Sequence, residues 1–489
     1  MAKTTSVLFV STEVYPFIKT GGIADVSYSL PLALRDQGYD IRVMFPKFGS
    51  VSERMIRIHD INRLRSIPIE VGTISENANV KSSSMSNPRA KVQAYITTNH
   101  KYYDSKKGIY KDPKTGKEYQ DNDERFIFFC KTVVETCLIL NWFPDIIHCN
   151  DWHTALVVAY AKAMFPSKFK KTKVVFTIHN FFKQGVFPQK TFEKTGFDSE
   201  IEENFVHSKK FNFLKSALIY SDYITTVSPA YAKEILQEKK LSGGLNSILA
   251  ENESKFKGIL NGIDPFVWDP RCDTHLQTKY NDNFLEYKQD NKQFLLKKFG
   301  FEQKENVPLL AMVSRLDEQK GINLFIEAAP ELFKKDIQML LLGDGDIEII
   351  AQLKELAKKN SKKFVFIKGF DDPLAHQIEA GADIFLLPSK YEPCGLNAIY
   401  SLAYGTIPVV RATGGLVDIV QEYNPETKEG NGFFFQKFTS ASLLGAIKKA
   451  MALYQNKEAW LELSENCIQK KYSWEESVKE YQEIYQSIL

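Results

Sequence analysis

The chain has 489 residues, more than one hydrophobic core usually supports, so length alone predicts two domains of comparable size. Hydrophobic residues make up 44% and charged residues 25%, an ordinary globular balance, and 63 Lys+Arg against 60 Asp+Glu leave a formal charge of +3, too even to point to nucleic acid. The cysteines form no C-x-x-C pair, no apolar run is long enough to span a bilayer, and Val7 to Val10 is too short for a signal peptide; together these predict a cytoplasmic protein with reduced thiols and no membrane partner.

Val7 to Val10 reads as a buried strand. The loop S-T-E-V-Y-P-F-I-K-T-G-G follows, then a helix with Val26, Leu30, Ala33 and Leu34 on its apolar face, in which Pro31 predicts a kink or an irregular turn. Ile41 to Phe45 is the next strand, so the opening is βαβ with Gly21-Gly22 at the helix N-terminus. This pair is not the G-x-G-x-x-G of dinucleotide binders, which gives a nicotinamide or flavin cofactor little support. Beside Lys19 it lets a phosphate or a sugar ring approach the backbone; a plain helix-entry turn with a solvated lysine fits the loop equally well. Residues 72 to 125 carry little periodic signal, and K-D-P-K-T-G-K-E-Y-Q-D-N-D-E-R reads as a mobile surface excursion before a helix starting near Arg125. Strands return at Asp145 to His148, Val174 to Ile178 and Ile224 to Val227. Each ends in polar residues, respectively Asn150-Asp151-Trp152-His153, His179-Asn180 and Ser228, which together describe one edge of a site.

The turn N-G-I-D at Asn261 to Asp264 marks the expected boundary, giving domains of residues 1–260 and 261–470. A second series follows: Leu309 to Val313 ending in S-R-L-D-E-Q-K-G, Met339 to Leu342 ending in G-D-G-D, and Phe364 to Ile367 ending in K-G-F-D-D. In the stretch from Ala382 to Gly415, Ile384 to Leu387 is an unbroken apolar run stopped by Pro388. Leu396, Ile399, Tyr400 and Ala403 then take the spacing of one helical face, and Ile407 to Val410 is a further apolar run. Ligands of such units sit beyond the carboxyl end of the strand, here Ser389 to Gly395, which carries Glu392, Cys394 and Gly395. Strands alternating with helices in both halves predict an α/β protein of two doubly wound Rossmann-like domains facing each other. A final helix in 471–489, with Trp474, Val478, Tyr481, Tyr485 and Ile488 on one face, is expected to pack back on the N-terminal domain.

Arg315 and Lys320, in the loop after a buried strand and ahead of Gly321, supply the bidentate donor and point charge that a diphosphate needs, although a solvated pair is the simpler reading of that loop alone. Asp344-Gly345-Asp346 has the form of a metal motif, yet its glycines better suit a backbone passing close to a nucleotide. His148 and His153 lack the i, i+4 spacing of a zinc helix, so no metal is expected. His179 with Asn180 and Gln184-Gly185 makes a polar pocket suited to a sugar.

Eight stretches carry a specific resemblance: K-T-G-G-I-A-D-V at Lys19 to Val26, N-D-W-H-T at Asn150 to Thr154, I-H-N at Ile178 to Asn180, L-N-G-I-D at Leu260 to Asp264, S-R-L-D-E-Q-K-G at Ser314 to Gly321, and Y-E-P-C-G-L followed by Y-G-T-I-P-V-V-R and T-G-G-L. In this order they resemble the bacterial glycogen synthase and plant starch synthase family over almost the whole chain. The resemblance implies a GT-B fold, two Rossmann-like domains facing across a cleft, and a transferase that moves glucose with retention from a sugar nucleotide, ADP-glucose, to the non-reducing-end 4-hydroxyl of an α-1,4-glucan, without a cofactor. It assigns Glu392 and His179 to catalysis. It assigns Lys19, Gly21, Gly22, Arg315 and Lys320 to the donor and its diphosphate, and Cys394, Gly395, Leu396 and Asn397 to the donor-sugar loop. Asp25, Asn261 and Asn180 match further active-site positions, and Glu13 and Asp151 lie where the acceptor or donor sugar would approach.

The chemistry agrees with these assignments. Breaking the glucose–phosphate bond builds positive charge on the sugar and negative charge on the diphosphate, so a carboxylate at one end and cations at the other favour the transition state. No second carboxylate announces itself as a covalent nucleophile, which favours front-face attack over double displacement. Closure of the two domains would exclude water and limit hydrolysis. Phe370 stands where bacterial members often carry Tyr, a candidate for stacking on the base; Lys390 replaces Arg, Ala398 replaces Gln, and Phe181-Phe182-Lys183 replaces a different aromatic pattern. These departures bear on ADP-glucose against UDP-glucose and on glucan contacts. A related transferase with a small sugar acceptor, or a non-catalytic glucan-binding paralogue, are the competing expectations; a phosphorylase would need a pyridoxal-phosphate lysine site, for which the sequence makes no case.

Overall fold

The computed structural model describes residues 4–53 and 57–489, and the chain divides into two compact units. The first runs up to Val227 and takes in Ala232–Gly262 and Trp474–Leu489; the second comprises Ser228–Tyr231 and Ile263–Ser473.

The first unit is built on a mixed sheet whose parallel part has the spatial order Phe256–Gly258, Tyr223–Thr226, Lys173–Ile178, Ile146–Asn150, Ser6–Val10, Asp40–Pro46, Lys91–Thr98. The order reverses between Ser6–Val10 and Ile146–Asn150, which makes the gap beyond their carboxyl ends the topological switch point where ligands of such sheets bind. Val7 to Val10 of this first strand are apolar at consecutive positions because both faces are covered. One cover is the helix Gly22–Asp36, which runs unbroken through the buried Pro31. Beside it on the same face lies the helix Trp474–Ile488, whose Trp474, Val478, Tyr481, Ile484 and Tyr485 join Val7, Phe9, Leu30 and Val43 in one cluster. Tyr485 Oη lies 2.6 Å from His148 Nδ1, and His148 Nε2 lies 2.6 Å from Thr177 Oγ1, so the last helix is hydrogen-bonded to the central strands as well as packed on them.

The stretch with least periodicity in the sequence proves the most extended. Ile74–Ser86 and Lys91–Thr98 pair antiparallel, with Ile67–Val71 added to Ile74–Ser86. Its strand character was masked because one face meets water and Ser, Asn and Lys dilute the apolar alternation. The excursion that follows lies on the surface from Lys111 to Gln120, but its ends are tied inward: the fully buried Arg125 donates to the Ile109 and Tyr102 carbonyls at 2.8 Å each, which fixes where Tyr110 points.

The second unit holds a six-stranded parallel sheet in the order Phe364–Lys368, Gln338–Gly345, Leu309–Leu316, Ile384–Leu387, Ile407–Arg411, Phe433–Phe435. In chain order this is 3-2-1-4-5-6, the doubly wound arrangement, with its switch point between Leu309–Leu316 and Ile384–Leu387. Ile384–Leu387 is buried throughout, and the helix after it spans Leu396–Ala403. Asp383 secures the start of this pair by accepting from Leu309 N at 2.7 Å and Lys292 Nζ at 2.6 Å. No helix of the described residues is long and apolar enough to cross a membrane.

Candidate functional site

In the first unit the loop after Ser6–Val10 folds around Glu13. One carboxylate oxygen, Oε2, accepts from Thr20 N at 2.7 Å and Gly21 N at 3.2 Å; the other, Oε1, accepts from Tyr110 Oη at 2.9 Å. Glu13 is buried, so its charge is spent on shaping the Lys19–Gly22 turn. Gly21 is extended and gives the following helix no side-chain cap, and Gly22 is its first residue. Lys19 Nζ lies 2.9 Å from Asp25 Oδ1, a carboxylate in the first helical turn where the helix dipole favours it.

Across the switch point, Asn150 spans the two strands. Its Nδ2 donates to the Val10 carbonyl at 3.0 Å, which leaves Oδ1 facing His179 Nε2 at 2.9 Å. That amide orientation requires the proton of His179 on Nε2 and a lone pair on Nδ1. Burial pushes the His179 imidazole down to about 3, so it is neutral near pH 7. Asp151 sits at a positive φ of 57°, a strained conformation for a residue with a side chain, and accepts from His179 N at 2.7 Å and Asn180 N at 3.3 Å. Burial drives its carboxyl up to about 7, against the lowering effect of those two amides. The His153 ring stacks on Tyr110 at 4.7 Å. Asn261, just beyond the strand Phe256–Gly258, is buried, and its Oδ1 has no hydrogen-bond partner among the described residues.

In the second unit the site forms where Leu309–Leu316 and Ile384–Leu387 end. Arg315 belongs to the strand itself, which runs three residues further than the apolar pattern of the sequence indicated, and its guanidinium donates to Gln319 Oε1 at 3.1 Å. Gly321 takes a left-handed φ of 70°, and a Cβ there would stand 1.9 Å from the Pro388 carbonyl oxygen. This contact brings the two loops together: Lys320 Nζ meets Glu392 Oε2 at 2.6 Å, and Ser389 Oγ donates to the same oxygen at 2.9 Å. The Glu392 backbone is fixed too, since Gly415 N donates to its carbonyl at 2.9 Å and a Cβ on Gly414 would fall 2.0 Å from that oxygen. Cys394 is buried beside it, and Gly395 opens the helix that begins with Leu396. Asn397 Nδ2 donates to the Val313 carbonyl at 2.6 Å, tying that helix to the first strand as Asn150 ties its own pair in the other unit. Phe370 is 65% exposed at the end of Phe364–Lys368.

The Asp344-Gly345-Asp346 stretch divides into separate tasks: Asp346 caps a helix by accepting from Glu348 N and Ile349 N, while Gly343 lies against the Ser314 carbonyl of the neighbouring strand. Among the described residues no group of His, Cys, Asp or Glu is arranged to hold a metal ion. The site residue that sequence reasoning missed is Tyr110, which nothing local marks. Asn150 and Ser389 lay in segments expected at the site but without a role of their own.

A family model described as the starch synthase catalytic domain matches residues 6–251, and one for group 1 glycosyl transferases matches residues 293–474. Proteins named glycogen synthase from Chlorobaculum tepidum, at 36% identity over 99% of this chain and 98% of theirs, and from Nitrosomonas eutropha, at 39% identity over 100% and 97%, are similar along their full length. Among solved structures, the catalytic domain of starch synthase IV from Arabidopsis thaliana, bound to ADP and acarbose, superposes with a TM-score of 0.90 at 28% identity, covering 99% of both chains. Sucrose-phosphate synthase from Thermosynechococcus elongatus, at 16% identity and a TM-score of 0.62 over 99% of both chains, shares the fold. The chain is therefore a GT-B glycosyltransferase and belongs to the bacterial glycogen synthase and plant starch synthase family.

Proposed function

We propose that this protein transfers glucose, with retention of anomeric configuration, from ADP-glucose to the non-reducing-end 4-hydroxyl of an α-1,4-glucan, with no resident metal or organic cofactor. The observation that carries the reading is the junction of Lys320 and Glu392 at the second unit's switch point, a cation and a carboxylate 2.6 Å apart with Arg315 on the adjoining strand end. Arg315 and Lys320 stabilise charge developing on the leaving diphosphate, and Glu392 acts beside the glucose as positive charge develops on it. In the first unit His179 offers the Nδ1 lone pair to a sugar hydroxyl, Asp151 holds that histidine by its backbone, and the Lys19–Gly22 turn receives the donor. Asp25 steadies Lys19 within that turn. Asn261 supplies a buried acceptor that costs about 1–3 kcal/mol while unsatisfied, a cost a donor-sugar hydroxyl would remove. Cys394, Gly395, Leu396 and Asn397 line the sugar side of the second unit.

The Arabidopsis relative bound to ADP supports an adenine nucleotide, with Phe370 as the exposed ring on which the base would stack. The test is glucose incorporation into glycogen from ADP-glucose and, separately, from UDP-glucose, with the product digested by an α-1,4-specific amylase. Faster incorporation from ADP-glucose into amylase-sensitive product is the expected result. Preference for UDP-glucose would overturn the donor assignment, and incorporation from neither would overturn the reaction.

A further inference from the structure

Single exposed apolar side chains are common on protein surfaces and by themselves mean little. Among the described residues, however, the two most exposed phenylalanine rings are Phe370, at 65%, and Phe182, at 59%, and each stands on a loop at the carboxyl edge of a parallel sheet that carries candidate site residues. Phe370 has a role in the reading above. Phe182, three residues beyond His179, has none.

The loop bearing Phe182 is held on both sides of it. Before it, His179 N and Asn180 N donate to the Asp151 carboxylate, and Phe182 N itself donates to Asn180 Oδ1 at 3.1 Å. Phe181 is fully buried. After it, Gln184 is buried, donating to the Phe181 carbonyl at 3.2 Å and the Ser242 carbonyl at 2.6 Å and accepting from Asn212 Nδ2 at 2.8 Å. The Gln184 and Gly185 carbonyls then accept from Leu214 N and Phe213 N, each at 3.1 Å. The ring is thus displayed by a backbone already ordered, so a ligand covering it bears little further ordering cost.

A glucose ring has an apolar face of C–H bonds and a rim of hydroxyls, and an α-1,4-glucan repeats that face along the chain. A flat ring without a hydroxyl covers such a face, and the neighbouring Asn180 is suited to the rim. Resting on the glucosyl-transfer reading above, we propose that Phe182 is a stacking platform for a glucose unit of the glucan acceptor and so sets acceptor affinity. The alternative ligand, the nucleotide base, is better served by Phe370, which shares its unit with Arg315 and Lys320.

Retention on glycogen in affinity gel electrophoresis, without donor, tests this directly, because the exposed ring can be changed without opening the core. Phe182→Ala is expected to weaken glycogen retention and raise the KM for glycogen by about three- to tenfold. The affinity for ADP-glucose, measured by titration, is expected to hold, and Phe182→Trp to restore glycogen retention. Unchanged retention in Phe182→Ala, or a loss of ADP-glucose affinity of the same size, would overturn the platform. Should the parent protein transfer no glucose while Phe182→Ala still loses retention, the transfer reading fails and the platform stands.

Discussion

Lys320 donates to Glu392 across 2.6 Å, so the cation assigned to the leaving group and the carboxylate assigned to the sugar form one electrostatic unit. Removing either disturbs the other. Glu392→Ala is expected to lower kcat/KM by about 10²–10³-fold, the scale of losing a preorganised charge at a reacting centre. Lys320→Ala is expected to lower it as well, and the double variant to lose less than the product of the two factors, because the second change removes a residue already deprived of its mate. Steady-state kinetics of the four proteins decide it, and strictly multiplicative losses would show that the two residues act independently.

The Tyr110–Glu13 bond reaches the Lys19–Gly22 turn through the opposite carboxylate oxygen. Tyr110→Phe keeps the ring on His153 and deletes only the hydroxyl. The expected outcome is a rise in the KM for the sugar nucleotide, with a stability loss of about 1 kcal/mol in urea unfolding. Unaltered donor binding would separate Glu13 from the turn's function.

Asp151 and His179 respond to pH in opposite directions. Asp151 binds its proton more tightly folded than unfolded, so its contribution to stability is complete below about pH 4 and is lost as pH rises through about 7. His179 and His148, both pushed down to about 3 by burial, contribute fully above about pH 6.5 and lose that contribution as pH falls toward 3. Asp151→Asn removes the first effect alone. Its Tm relative to the parent is expected to climb from about pH 5 to about pH 7 and then level off; a pH-independent difference in thermal melts would contradict this.

Tyr485→Phe leaves His148 Nδ1 buried without its 2.6 Å partner. The cost expected is about 1–3 kcal/mol, read as a lower urea midpoint at pH 7.

The consecutive apolar runs carried most of the fold. Ile384 to Leu387 and the helix from Leu396 are where their periodicity puts them, because both faces of that strand and one face of that helix are buried. The 72–98 segment escaped notice because its outer face is wet, and Arg315 was placed in a loop because its strand continues after its apolar residues stop. The site was legible as motifs and not as contacts. Nothing local in the sequence says that Tyr110 answers to Glu13 or that Ser389 shares an oxygen with Lys320, since those pairings exist only once distant loops meet.

The helix Trp474–Ile488 gives the chain's last stretch a place in its first core. A ribosome therefore delivers the second unit whole while Val7, Phe9 and Leu30 still lack part of their cover, and Tyr485 reaches His148 only after the second unit has emerged. The N-terminal unit begins first and is completed only after the second. A polypeptide cut between Ser473 and Tyr485 would have an intact second unit and an unsealed first one, a substrate for proteolysis rather than a shortened enzyme.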